Sequence, residues 1–143
     1  MHPPPIDLSP LRKALALLNE ALQFWGDLPD GAPLKRHLRS AVIQSFEFSY
    51  ELSVRLLRRV LVERSESSDR VSDLSFNDVL RAAADAGLMP DATRWREWRE
   101  MRNATSHAYD EVKAQAVAAG AAAFALDAAA LLAALEASLD HGP

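Results

Sequence analysis

The chain of 143 residues contains no cysteine. This absence excludes disulfide bonds, thiolate metal sites and cysteine nucleophiles, and it is compatible with a reducing compartment. Glycine is scarce, at five residues, and the sequence shows no glycine-rich phosphate-binding loop, internal repeat or pair of strand patterns. The length is nevertheless that of one ordinary domain, enough to bury roughly two thirds of the surface of the unfolded chain.

The sequence also lacks a recognisable export or membrane segment. Its start, Met1–Pro5, has neither the basic nor the apolar region of a secretory signal, and residues 1–8 are predicted to form a flexible arm. The most apolar stretch, Ala116–Leu135, is rich in alanine and interrupted by Asp127, whereas a membrane span needs about 20 strongly apolar residues. These features favour a cytoplasmic protein that has no membrane partner.

Helices are the predicted secondary structure throughout. Proline breaks a helix interior, and the two proline-free spans, 34–89 and 91–142, repeat their apolar residues at intervals of three and four. The predicted helices run from Ser9 to Trp25, Leu34 to Arg64, Ser75 to Gly87, Asp91 to Met101 and Asp110 to about Leu139. We therefore predict an all-α, antiparallel up-and-down bundle of four to five helices, in one domain over residues 9–140.

Local residue chemistry marks the predicted helix ends. The predicted N-caps are Ser9, followed by Pro10, then Ser75, which forms a capping box with Asp78, and Asp110. Gly87 is a favourable residue just past a helix C-terminus. The turn-rich stretch 26–33 and the polar stretch 65–74 are predicted loops, the second of them mobile.

The alanine-rich last helix has two explanations. Alanine has a high helix propensity, and its small side chain lets neighbouring helices approach closely. Alternatively, a smooth alanine surface forms a seam between two copies of the chain. The first explanation is favoured, and the second stays open.

The net charge of −4 hides a strong asymmetry. The segment Arg94–Arg102 has four arginines against two glutamates, and Arg55–Arg64 has four arginines against one glutamate. These segments carry +2 and +3, so the rest of the chain carries −9. This distribution argues against general attraction to nucleic acid but is compatible with a local site for a phosphate.

One segment carries more chemically specific side chains than packing requires. Arg102, Asn103, His107 and Tyr109 combine a permanent cation, an amide, a titratable imidazole and a phenol within eight residues. Helix-weakening hydroxyl residues follow Asn103, so the helix is predicted to end before or at His107.

A purely structural interpretation explains the same residues. Arg102 would pair with Glu47 or Glu51 of the second helix, and a histidine in the last turn of a helix gains from the helix dipole. Trp95 and Trp98 are predicted core residues. Under this interpretation the protein is a structural helical dimer, and substitutions of Arg102 change only its stability.

The stretch Arg102–Tyr109 matches the R-x4-H-x-Y signature of the HEPN superfamily. More closely, the chain resembles the nucleotidyltransferase substrate-binding protein family, related to HepT-like toxins. The residues that carry this resemblance are Phe46-Glu47, Tyr50-Glu51, Ala86-Gly87-Leu88, Trp95 and Arg102 through Asp110.

The resemblance implies a helical bundle similar to the C-terminal domain of kanamycin nucleotidyltransferase, usually a homodimer. It also implies a partner, a small nucleotidyltransferase encoded nearby, and pairing with it as toxin and antitoxin. The chain has no Gly-Ser plus Asp-x-Asp nucleotidyltransferase site of its own.

The resemblance leaves two mechanisms open. In the first, Arg102 holds an RNA phosphate and His107 is the general acid or base, with Asn103 supporting them and no metal; AMP attached to Tyr109 silences the site. In the second, the protein is a non-catalytic subunit that presents a nucleotide or acceptor substrate. The candidate substrate-binding residues are Arg102, Asn103, His107, Arg99, Glu47 and Glu51.

No cofactor or metal is predicted. Glu47 and Glu51 share a helix face, but no Glu-x-x-His motif accompanies them. The remaining histidines, His2, His37 and His141, are scattered over the chain. The two glutamates are therefore expected to hold Arg102 or to lie in solvent.

Overall fold

A computed structural model describes residues 5–65 and 73–140. Over these residues the protein is all-α, which confirms the predicted fold class, and it contains no strand. The helices are α1 (Ser9–Asp27), α2 (Pro33–Arg64), α3 (Phe76–Asp85), α4 (Arg94–Ala104) and α5 (Glu111–Asp140), with a 3-10 turn over Thr105–His107. Parts of the predicted arm and mobile loop, residues 1–4 and 66–72, and His141 lie outside the described residues.

Three predicted helix ends follow their local chemistry. The amide of Asp78 donates to the hydroxyl of Ser75 at 3.2 Å, and the amides of Val112 and Lys113 donate to Asp110 Oδ1 at 2.9 and 3.2 Å. Gly87 has a φ of +75°, which an L side chain rarely adopts. These caps confirm the predicted starts of α3 and α5 and the stop after α3.

The starts of α1 and α4 differ from the prediction. Leu8, not Ser9, is the N-cap of α1, and the Ser9 amide donates to Asp7 Oδ1 at 2.9 Å. Ile6 and Leu8 are buried, so the predicted arm packs against the core from Ile6 onward. At α4, the residues after Asp91 form a turn, and the helix begins only at Arg94.

An aromatic cluster forms the centre of the core around α5. Phe124 is fully buried, and its ring lies 4.8 Å from Phe46 and 5.8 Å from both Trp95 and Trp98, measured between centroids. Tyr50 stacks on Trp95 at 6.3 Å. The two tryptophans are therefore core residues, as predicted, and they fix α4 against α2 and α5.

Asp127, a charged residue within the otherwise apolar α5, anchors α4. Asp127 Oδ2 accepts hydrogen bonds from Arg94 Nε and Trp98 Nε1, both at 2.8 Å. An ion pair that also satisfies a buried indole N–H fixes the rotation of α4 about its axis. These hydrogen bonds therefore orient the C-terminal end of α4, where the candidate motif, Arg102–Tyr109, begins.

The alanines of α5 divide between the inside and the outside of the bundle. Five are buried, which confirms the close-packing explanation for that face: Ala114, Ala118, Ala121, Ala125 and Ala128. The outer face is also apolar, with several exposed alanines around Leu126, which is 75% exposed. The predicted seam between two copies stays a prediction.

By length and composition α5 is also long and apolar enough to span a membrane. The buried core helix of a helical bundle passes the same test.

Candidate functional site

The candidate motif lies at the end of α4 and in the turn that precedes α5. Thr105 Oγ1 donates to the carbonyl of Arg102 at 2.7 Å, and Ser106 Oγ donates to the carbonyl of Asn103 at 2.9 Å. These hydroxyls occupy carbonyls that would otherwise accept amides of a continuing helix. The chain therefore tightens into the 3-10 turn that ends at His107, which confirms the predicted change of register.

Arg102 is held between two carboxylates of α2. Its Nε and Nη2 both donate to Glu51 Oε1, at 3.0 and 2.6 Å, and Nη2 lies 3.6 Å from Glu47 Oε1. Nη1 donates to Thr105 Oγ1 at 3.3 Å. The hydrogen bond to Glu51 raises the pKa of Arg102 above its ordinary value. One arginine against two glutamates gives this group a net charge of −1.

His107 and Tyr109 stand out from the surface beside each other. Tyr109 is 85% exposed, and its hydroxyl lies 3.5 Å from His107 Nδ1, so the direction of this hydrogen bond depends on the imidazole tautomer. Asn103 is exposed as well, and its side-chain amide has no hydrogen-bond partner in the part of the chain that the structure describes. These three side chains are accessible to a ligand.

Arg99 contacts a different element from the rest of the predicted site. Its guanidinium carbon lies 4.8 Å from the centroid of the Phe76 ring at the start of α3, and among the described residues it forms no ion pair with Glu47 or Glu51. The predicted residues therefore form three groups: Arg102 with Glu47 and Glu51; the exposed Asn103, His107 and Tyr109 near the turn; and Arg99 of α4, packed against Phe76 of α3.

Sequence analysis missed a second ion pair near the motif. Arg39 Nη1 and Nη2 donate to the two carboxylate oxygens of Glu111, each at 2.8 Å, and this pairing lowers the pKa of Glu111. Arg39 also lines a cavity of about 270 Å³ together with Glu47 and Ala108. The spacing of Arg39, Ile43 and Glu47 along one face of α2 is the signal that places Arg39 near the motif.

Tyr50 lies buried between the aromatic core and the arginines of α2 and α4. Burial raises its pKa to about 12, while the positive charges of Arg99, Arg102 and Arg58 lower that pKa.

The described residues contain no cluster of three or more side chains suited to hold a metal ion.

Comparisons with known proteins support one family. Residues 6–137 match the model of the family described as nucleotidyltransferase substrate binding protein like. A relative from Haemophilus influenzae, named probable ribonuclease HepT, is 41% identical over 95 residues, which span 66% of this chain and 65% of the relative. The match thus covers slightly less than two thirds of that protein.

A solved structure from Haemophilus influenzae, described as the fold of a substrate-binding domain of a nucleotidyltransferase, superposes with a TM-score of 0.81. It is 33% identical, and the alignment covers 91% of this chain and 99% of the other. Fold and sequence thus agree over nearly the whole chain. The protein belongs to the nucleotidyltransferase substrate binding protein-like family.

Proposed function

We propose that this protein is the HEPN-type partner of a small, separately encoded nucleotidyltransferase and forms one half of a cytoplasmic toxin–antitoxin pair. It binds the phosphate of an RNA or nucleotide at Arg102–Tyr109. The observation that carries the proposal is the exposed group Asn103, His107 and Tyr109 beside the anchored Arg102. The description of the family and the name of the HepT relative support it.

The chemistry proposed for this group is metal-independent RNA cleavage. The 2′-hydroxyl of the RNA attacks the adjacent phosphorus and loses its proton, while the bond to the 5′-oxygen breaks and that oxygen gains a proton. His107 accepts the first proton or supplies the second, and water takes part in the other transfer. Arg102 directly precedes the exposed Asn103 and stabilises the charge that develops on the phosphate. A homodimer that brings two motifs into one cleft completes the proposed site.

Replacing His107 tests this chemistry. We expect purified protein to cleave cellular RNA in EDTA and His107→Ala to reduce the rate by about 10² to 10⁴, the usual contribution of a general acid or base. His37→Ala is the matched control, because His37 is an exposed histidine of α2 that forms no hydrogen bond or ion pair with Arg102–Tyr109 among the described residues. Gel analysis of the RNA measures both. Equal cleavage by His107→Ala contradicts the mechanism, and no cleavage by the wild type makes the protein a non-catalytic subunit.

Tyr109 is the proposed site of silencing, which its 85% exposure favours. The phenol oxygen attacks the α-phosphorus of ATP, pyrophosphate leaves, and the added negative charge repels an RNA phosphate.

Mass spectrometry after incubation with the neighbouring nucleotidyltransferase and ATP tests this modification. We expect AMP on the peptide that contains Tyr109 and none on Tyr109→Phe. Tyr50, the only other tyrosine, is buried and serves as an internal control. AMP found on any other residue contradicts the assignment.

A further inference from the structure

Three arginines from two helices converge on the start of α3. Arg58 Nη1 of α2 donates to the carbonyl of Leu74 at 3.1 Å. From α4, Arg96 Nε donates to Asn77 Oδ1 at 3.1 Å, and the Arg99 guanidinium stacks on the Phe76 ring. We call Arg58, Arg96 and Arg99 the α3 cluster. The two arginine-rich segments of the sequence therefore meet in space.

No carboxylate of the described residues pairs with the α3 cluster. Over residues 5–65 and 73–140, none of its three arginines forms an ion pair, whereas Arg94 and Arg102 of the same helix α4 both do. Each guanidinium has five N–H donors and stays protonated. Arg58 and Arg96 each use one donor on a protein acceptor, and Arg99 uses none. Within residues 5–65 and 73–140, most donors of the cluster therefore have no protein partner and can bind an anionic ligand.

Charge near the motif favours a further cationic surface. The group of Arg102, Glu47 and Glu51 carries −1, so Arg102 can contact one phosphate at short range, but the group gives a phosphate chain no long-range attraction. The α3 cluster adds +3, from Arg58 of α2 and from Arg96 and Arg99 of α4. Arg58, Arg99 and Arg102 also oppose the burial that raises the pKa of Tyr50, which places their positive potential at the contact between α2 and α4.

The cluster and the motif lie on one line along α4. Arg96, Arg99 and Asn103 follow each other at intervals of three and four residues and so share one side of the helix. From Arg96 to Ala104 the axial distance is about 12 Å, at 1.5 Å per residue, and the 3-10 turn that ends at His107 adds about 6 Å, at 2.0 Å per residue. This length suits several consecutive phosphates of one strand rather than a single small anion.

We propose that the α3 cluster binds the phosphodiester backbone of single-stranded RNA and delivers the strand to His107. This proposal specifies single-stranded RNA as the substrate class of the proposed site, and it therefore rests on the proposed function. Flexible single strands can lay their phosphates along arginines and stack bases on guanidinium planes. Neutralising charges on such a strand releases counterions, so binding must weaken steeply with salt.

Salt-dependent binding of a fluorescein-labelled oligouridylate tests the cluster. The assay uses the full chain carrying His107→Ala, so that the probe stays intact. Replacing Arg58, Arg96 and Arg99 together by glutamine is expected to lower the slope of log affinity against log salt by about 2, at about 0.7 per phosphate contact. The affinity at low salt is expected to fall by about tenfold or more.

The matched control replaces Arg12, Lys13 and Arg36 by glutamine, which changes the net charge equally at sites on α1 and the start of α2. An unchanged slope in this control supports the proposal. An equal loss in both triple variants, or no loss in the cluster variant, overturns it.

Folding and function are separated by two further measurements. If the triple variant unfolds at a lower temperature than the parent protein, the single variants Arg96→Gln and Arg99→Gln are used instead. Each is expected to lower the slope of log affinity against log salt by about 0.7, and an unchanged slope overturns the proposal. Cleavage assays on proteins with His107 intact report the proposed function separately. If the protein does not cleave RNA but the cluster variant lowers the salt slope as expected, only the proposed chemistry is refuted. If the protein cleaves RNA but the cluster variant leaves the salt slope unchanged, only RNA binding by the α3 cluster is refuted.

Discussion

Replacing Phe124 by alanine is expected to lower the free energy of unfolding by about 3 to 5 kcal/mol. The ring is fully buried and touches four other aromatic rings, so its removal leaves a cavity that no neighbour fills without moving. Small domains have total stabilities of about 5 to 15 kcal/mol. Urea unfolding followed by tryptophan fluorescence measures the loss, since Trp95 and Trp98 both contact Phe124.

Phe24→Ala is the control for this experiment. Phe24 lies on the outer face of α1 and is 53% exposed, so its truncation is expected to change stability by at most about 0.5 kcal/mol. Similar losses in the two variants contradict a core organised around Phe124. Because Phe124 holds the two tryptophans of α4, its replacement is also expected to loosen the candidate motif at the end of that helix.

Local chemistry explains why most of the fold could be predicted. Ser75, Gly87 and Asp110 act through hydrogen bonds or dihedral angles within a few residues of themselves, which a sequence displays directly. The start of α4 depends instead on how the chain turns after Asp91. The packing of Ile6 and Leu8 depends on partners distant in sequence, which the sequence of the predicted arm does not display.

The candidate site divides in the same way. The sequence predicts that Arg102 pairs with Glu47 or Glu51, because the three residues face each other if two helices pack side by side. It does not show the pair Arg39–Glu111, whose members are 72 positions apart. The net charges of two segments indicate a basic region, but only the contacts of Arg58 and Arg99 with residues 74–77 bring those segments together.

Arg102→Ala is expected to reduce RNA cleavage by about 10² to 10³, the usual effect of removing a group that stabilises charge in the transition state. The same change removes the hydrogen bonds to Glu51, which are partly exposed, so stability falls by about 1 kcal/mol or less. Glu51→Gln is the matched variant. It weakens the same contact, and we expect a similar loss of stability but far less loss of cleavage, because the guanidinium remains.

These two variants separate a phosphate-binding Arg102 from a structural one. If Arg102 acts only through the fold, cleavage falls in proportion to stability in both variants. Denaturant unfolding and initial cleavage rates, measured on the same preparations, decide between the two outcomes. A large loss of cleavage in Glu51→Gln with intact stability also contradicts the expectation, since it assigns the chemistry to the carboxylate.

Mixing protomers extends the test to the proposed shared cleft. In a two-fold dimer that combines Arg102 of one protomer with His107 of the other, a heterodimer of Arg102→Ala and His107→Ala retains one intact site. Random exchange of equal amounts makes half of the dimers mixed, so about one quarter of the wild-type rate is expected to return. A site built within one protomer regains nothing, because each subunit still lacks one of the two groups.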